Sequence, residues 1–102
     1  MQGKTWLVSR HQGTLEWFGE QGIAVDETLT HLEPEVPQPG DTVIGNLPIQ
    51  MVAQLSDRGI HYCHLSLTVP PEWRGRELSS AEIEACQPAL EYFRVIRGSE
   101  DE

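Results

Sequence analysis

The sequence predicts an α/β fold, a single small domain with a mostly parallel sheet and helices on both faces. Three observations predict it. Short apolar runs rich in aromatic and β-branched residues alternate with segments of helical periodicity. Turn residues separate nearly every pair of such segments. The chain has 102 residues and no internal repeat, which fits one domain.

Each element has its own signal. Thr5 to Ser9 reads as a buried strand that breaks at Ser9-Arg10-His11. Gly13 allows a tight turn. Thr14 can cap a helix that places Leu15, Phe18 and Gly22 on one face and Glu16 and Glu20 on another. Gly19 weakens that helix by about 1 kcal/mol relative to alanine, and Gly22 ends it. A second short strand falls within Ile23 to Leu32. "EPEVPQPGD", from Glu33 to Asp41, holds three prolines and a glycine and is a loop. Thr42 to Leu47 is a strand broken at Gly45. Pro48 suits the first position of a helix, in which Ile49, Val52 and Ala53 share a face and which Arg58-Gly59 closes.

Ile60 to Leu67 is another strand, followed by the loop "VPPEWRGRE". Ser79-x-x-Glu82 is a capping box, and Ile83, Cys86 and Leu90 follow at helical spacing. Pro88 kinks or divides that helix. Phe93 to Ile96 reads as a last strand. Residues 1–98 form the domain, and residues 99–102 form an acidic, disordered tail.

Formal net charge is -9. That disfavours duplex DNA, whose binding rests on many Lys/Arg–phosphate contacts. A small anion remains possible if a few of the seven bases gather. The candidates are Lys4, Arg10, Arg58, Arg74 and Arg76, with His11 as a titratable helper. Cys63 and Cys86 lie in apolar contexts without a Cys-x-x-Cys pair, as reduced, buried thiols of a cytoplasmic protein would. No apolar run reaches the roughly 20 residues that span a membrane.

In open α/β sheets, ligands sit outside the carboxyl ends of the strands. That rule selects Ser9 to Gly13, Gly45 to Pro48, and the region after Ser66. In the first loop, Arg10 offers a planar donor fork for phosphate and His11 can move a proton. A helix N-terminus behind them adds free N–H groups, and Gly13 lets backbone approach a ligand. The bland alternative is a polar loop that satisfies a helix start. In the second loop, Gly45, Asn46, Leu47 and Pro48 can hold a base edge or a phosphate, or simply form a strand-to-helix turn. His61 and His64 point to opposite faces of one strand, so no shared metal is expected. Ser66 shares a face with His64 and is a further ligand candidate. Arg74 and Arg76 flank Gly75 beside Trp73, as a mobile flap or as an ordinary surface loop. No P-loop, dinucleotide fingerprint or nucleophile elbow is present.

"VSRHQGTLEW", "PGDTVIGNLP", "HLSL" and "RGREL", in that order, resemble the small stand-alone CRISPR-associated proteins of type III systems assigned as ring nucleases. The resemblance runs from about Trp6 to Phe93, and its departure is Pro88 inside the last helix. It implies a Rossmann-like domain related to cyclic-oligoadenylate sensor domains. It implies a homodimer whose two-fold axis matches a cyclic RNA ring, and metal-independent cleavage of that ring without a cofactor. Ser9, Arg10 and His11 would then be catalytic. Arg10 would hold the scissile phosphate, His11 would serve as acid or base, and Ser9 would bond phosphate or ribose. Gly13, Gly45, Asn46, Leu47, Pro48, Ser66, Arg74 and Arg76 would contact the ring. The competing expectations are a protein that binds the ring without cleaving it, as a sponge or sensor, and an acidic nucleic-acid mimic.

Overall fold

The structure, a computed structural model, describes residues 3–98. The expected acidic tail at 99–102 lies outside the described residues. In chain order the elements are β1 (Thr5–Val8), α1 (Gln12–Glu20), β2 (Glu27–Leu29), β3 (Thr42–Gly45), α2 (Ile49–Asp57), β4 (His61–Ser66), a 3-10 turn (Pro71–Trp73), α3 (Ser80–Ala85) and β5 (Ala89–Phe93). They form one five-stranded sheet in the order β2-β1-β3-β4-β5. The first four strands are parallel, and β5 runs antiparallel to β4.

Alternation along the strands builds two cores. Leu7, Ile44 and Cys63 are register partners across β1, β3 and β4. They pack with Trp17 and Phe18 of α1 and Ile83 of α3. On the other face Val43 and Tyr62 pack with Val52 and Leu55 of α2. Helices therefore cover both faces, as the alternating pattern requires. Burying a side chain such as Phe18 or Leu55 contributes about 2 kcal/mol. Cys63 and Cys86 are both buried and unpaired, and burial pushes the Cys63 thiol up.

Several boundaries differ from expectation, each for a physical reason. Helix α1 begins at Gln12, not at Thr14, which is buried in its first turn. Helix α2 begins at Ile49, with Pro48 as its extended N-cap. Strand β2 has three residues only. The capping box of α3 is present in both directions, Glu82 N–H to Ser79 Oγ at 3.2 Å and Ser79 N–H to Glu82 Oε1 at 2.9 Å. Yet α3 stops at Ala85. Pro88 cannot donate to a continuing helix and disfavours helical backbone at Gln87, which instead adopts φ of 56°. The chain reverses there, so Leu90 belongs to β5. The last strand is Ala89–Phe93 rather than Phe93 to Ile96. Beyond it, Val95 N–H leaves the sheet and donates to Ser56 Oγ at 3.1 Å.

The amino ends of β1 and β3 meet at Asp41, which is buried. Its carboxylate accepts from Lys4 N–H, Trp6 Nε1–H and Gln38 N–H, each at 2.9 Å. Burial alone would push this carboxyl up, but the three bonds to its ionised form outweigh burial and hold it below the usual value. Arg58 donates to the carbonyls of Pro34 and Pro37, so a candidate anion-binding base instead pins the acidic loop. Among the described residues, no helix is long and apolar enough to cross a membrane.

Candidate functional site

Strands β1 and β3 lie side by side, but their chains leave in opposite directions. Ser9-Arg10-His11 carries β1 into α1 on one face, and Asn46-Leu47-Pro48 carries β3 into α2 on the other. Such a reversal opens a crevice at the carboxyl ends of the two strands. Here it is a cleft of about 450 Å³ lined by Ser9, Arg10, His11, Asn46, Leu47 and Pro48. Thr30, His31 and Leu32, just beyond β2, close its far wall with Met51 of α2. Six residues expected from two separate loops thus share one cavity.

The local bonding sets what each can do. Ser9 N–H donates to Leu29 C=O at 2.8 Å, tying the loop to β2. Ser9 Oγ accepts from His11 N–H at 3.1 Å, which shapes the turn. Arg10 is exposed and forms no ion pair among the described residues. Its planar fork is therefore available to an anion. His11 is the N-cap of α1, and its ring makes no bond to the helix it precedes. Instead its Nδ1 lies 3.2 Å from Glu77 Oε1, and Glu77 Oε2 accepts from Gln12 N–H at 3.3 Å.

The second loop is more committed than the sequence suggests. Leu47 N–H donates to Tyr62 Oη at 2.9 Å, so it is not a free donor for phosphate. Burial pushes the Tyr62 hydroxyl up, against the smaller opposing effect of Leu47 N–H, and it stays protonated. That hydroxyl lies 3.1 Å from Gly45 C=O and 2.7 Å from His64 Nδ1. Asn46 Nδ2 donates to Leu65 C=O at 3.2 Å. Its carboxamide oxygen accepts no hydrogen bond among the described residues.

Two glycines stand at close backbone contacts. A Cβ on Gly13 would lie 2.0 Å from Leu78 C=O, so its bareness lets α1 meet the segment before α3. A Cβ on Gly45 would lie 3.2 Å from Val8 C=O, between β3 and β1. Neither lines either of the two clefts at His11. Ser66 is exposed at the end of β4, opposite Ala89, and lines neither of the two clefts at His11.

Arg74 and Arg76 lie elsewhere. They line a second cleft of about 570 Å³ beneath the 67–79 segment, with Trp73, Glu77 and the apolar Leu67 and Val69. Arg76 pairs with Glu82 at 2.7 Å and sits 5.2 Å from the Trp73 ring centroid. The bond from Ser79 N–H and the pairing with Arg76 together hold the Glu82 carboxyl below its usual value. His11 borders both clefts.

Sequence reasoning missed His31, Glu77 and the Tyr62–His64 support. His31 was within reach, because it follows the carboxyl end of a strand as Arg10 does. Glu77 was not, since its contact with His11 spans 66 positions.

A family model described as "Putative CRISPR-associated protein (Cas_VVA1548)" matches residues 6–96. The chain belongs to the Cas_VVA1548 family. No curated protein and no solved structure matches it. The matched span includes every residue that lines the two clefts at His11.

Proposed function

We propose that this protein is a ring nuclease that binds a cyclic oligoadenylate, with cyclic tetraadenylate as the first ring to test, and opens it without a metal ion. The observation that carries this reading is the convergence of Ser9, Arg10, His11 and Asn46 on one crevice, in a chain of a CRISPR-associated family. The doubly wound strand order supports a relation to Rossmann-like sensor domains. Ring cleavage would switch off type III CRISPR antiviral signalling in the cytoplasm.

The chemistry asks for positioning and charge stabilisation. A ribose 2′-oxygen attacks the adjacent phosphorus and loses its proton to a base. The bond from phosphorus to the 5′-oxygen breaks, and that oxygen takes a proton. The products are a 2′,3′-cyclic phosphate and a 5′-hydroxyl, with no net redox change. Arg10 stabilises charge on the phosphoryl oxygens. His11 transfers a proton, and Ser9 bonds the phosphate or ribose. Asn46 positions an adenine, and Arg74 and Arg76 reach the ring from the neighbouring cleft.

A cleft of about 450 Å³ lies toward the small end of ligand sites and suits one nucleotide better than a whole ring. A homodimer would offer two such clefts about a two-fold axis to a symmetric ring.

The test is incubation of the purified protein with cyclic tetraadenylate in EDTA, followed by chromatography. Linear fragments ending in 2′,3′-cyclic phosphate support the reading. An intact ring that co-elutes with the protein replaces it with sequestration or sensing. An intact ring without binding rejects it for this ring size.

A further inference from the structure

We propose that Glu77 is a positioning residue for His11: its carboxylate holds the imidazole as the Nδ1–H tautomer and leaves Nε2 as the nitrogen that exchanges a proton. This rests on the proposed ring cleavage for its catalytic consequence, though not for the tautomer itself.

The argument begins with valence. An ionised carboxylate only accepts hydrogen bonds, so a neutral imidazole bonded to it must present N–H. Glu77 Oε1 is 3.2 Å from Nδ1, so the proton of the neutral ring belongs on Nδ1. Which ring nitrogen is protonated follows from the bond that the other makes. An unconstrained imidazole favours the opposite form, Nε2–H, so Glu77 works against the default.

The carboxylate is itself held. Its second oxygen accepts Gln12 N–H at 3.3 Å, the first amide of α1, where the positive end of the helix favours negative charge. One carboxylate therefore bridges the ring and the helix that presents it. The segment carrying Glu77 is in turn fixed against α1 at Gly13 and Leu78.

The pair's exposure indicates what it is for. The His11 and Glu77 side chains are 56% and 63% exposed. Exposed pairs add little to stability. Orientation of a reacting group is a role that survives exposure. His11 borders both clefts, so its ring stands beside the space a substrate would occupy.

A purely structural role is the competing explanation, since Glu77 also caps α1. Glu77→Gln separates the two. Its carboxamide oxygen can still accept Gln12 N–H, but its amino group then faces Nδ1, which must become an acceptor. The cap survives and the tautomer changes.

The measurement is a long-range proton–nitrogen correlation spectrum of the ¹⁵N-labelled protein near pH 8.5, above the ordinary imidazole range. Wild-type His11 should show a protonated Nδ1 and a bare Nε2. Glu77→Gln should shift the ring toward Nε2–H at nearly unchanged melting temperature, and Glu77→Asp should restore the wild-type form. In single-turnover cleavage, Glu77→Gln should be about tenfold slower or more with ring binding unchanged, a part of the roughly 10²–10⁴ that acid–base catalysis supplies. A wild-type ring already in the Nε2–H form, or the same tautomer in wild type and Glu77→Gln, overturns the proposal. So does cleavage at the wild-type rate in that variant. If wild type itself leaves the ring intact, the ring nuclease reading fails, while the spectrum still decides what Glu77 does to His11.

Discussion

The two ends of strands β1 and β3 use polar residues in opposite ways. At the amino ends, Asp41 is buried and its carboxylate meets three donors. Arg58 is similarly spent on two carbonyls of the acidic loop. At the carboxyl ends, Ser9 is half-buried and Arg10, His11 and Asn46 are exposed around an open cleft. A buried charge must be fully bonded or the fold suffers. An exposed one costs little and keeps its bonding capacity for a ligand. Charge alone therefore says nothing about function; its unspent bonds do.

The contrast is broken most sharply by Arg10→Ala. Single-turnover cleavage should fall about 100-fold or more, as when one donor to a developing oxyanion is lost. Stability should stay within about 0.5 kcal/mol, because the side chain is exposed. Turnover at the wild-type rate would remove Arg10 from the mechanism. Asp41→Asn tests the other end. It should cost about 2 kcal/mol in urea unfolding, since bonds to a charged acceptor are lost. Cleavage per folded molecule should be unchanged.

The same carboxylate sets an acid limit. Its folded pKa lies below 3.8, so the unfolded chain takes up the proton first. Its stabilisation is complete above about pH 5 and is lost as pH falls through the lowered folded value. The urea midpoint should therefore drop more steeply between pH 5 and 3 for wild type than for Asp41→Asn. Tyr62→Phe lies between the two ends and should have the smallest effect. Leu47 N–H loses its acceptor, at about 1 kcal/mol, and ring binding weakens a few-fold as the β3–α2 loop loosens.

Much of this was legible in the sequence. Apolar runs such as Trp6-Leu7-Val8 and Thr42 to Gly45 are short because both faces of a parallel strand are buried, and that pattern survives without neighbours. The carboxyl-end rule then selected the loops of Arg10 and Asn46 separately, and the structure brings both into one crevice. Strand β5 was misplaced because its residues are exposed on both sides, so no alternation marks it. Arg74 and Arg76 were grouped with Arg10 by charge, yet the 67–79 segment carries them to a separate cleft. Leu47 N–H could not be known as occupied, because its acceptor Tyr62 is 15 positions away. Local pattern reveals elements; pairings across the sheet decide which polar groups remain free.

Gly13 has a mechanical consequence. The missing side chain acts as a gauge of zero thickness between α1 and the Leu78 carbonyl, since an added Cβ would stand only 2.0 Å from that oxygen. One methyl group would force the two apart by about an ångström, and Glu77, next to Leu78, would travel with the displaced segment. Displacements of that size can cost about 100-fold in a reaction that depends on alignment. The tolerance of the proposed catalytic machinery would then be set not by a residue proposed to touch substrate, but by the one that contributes no side chain at all.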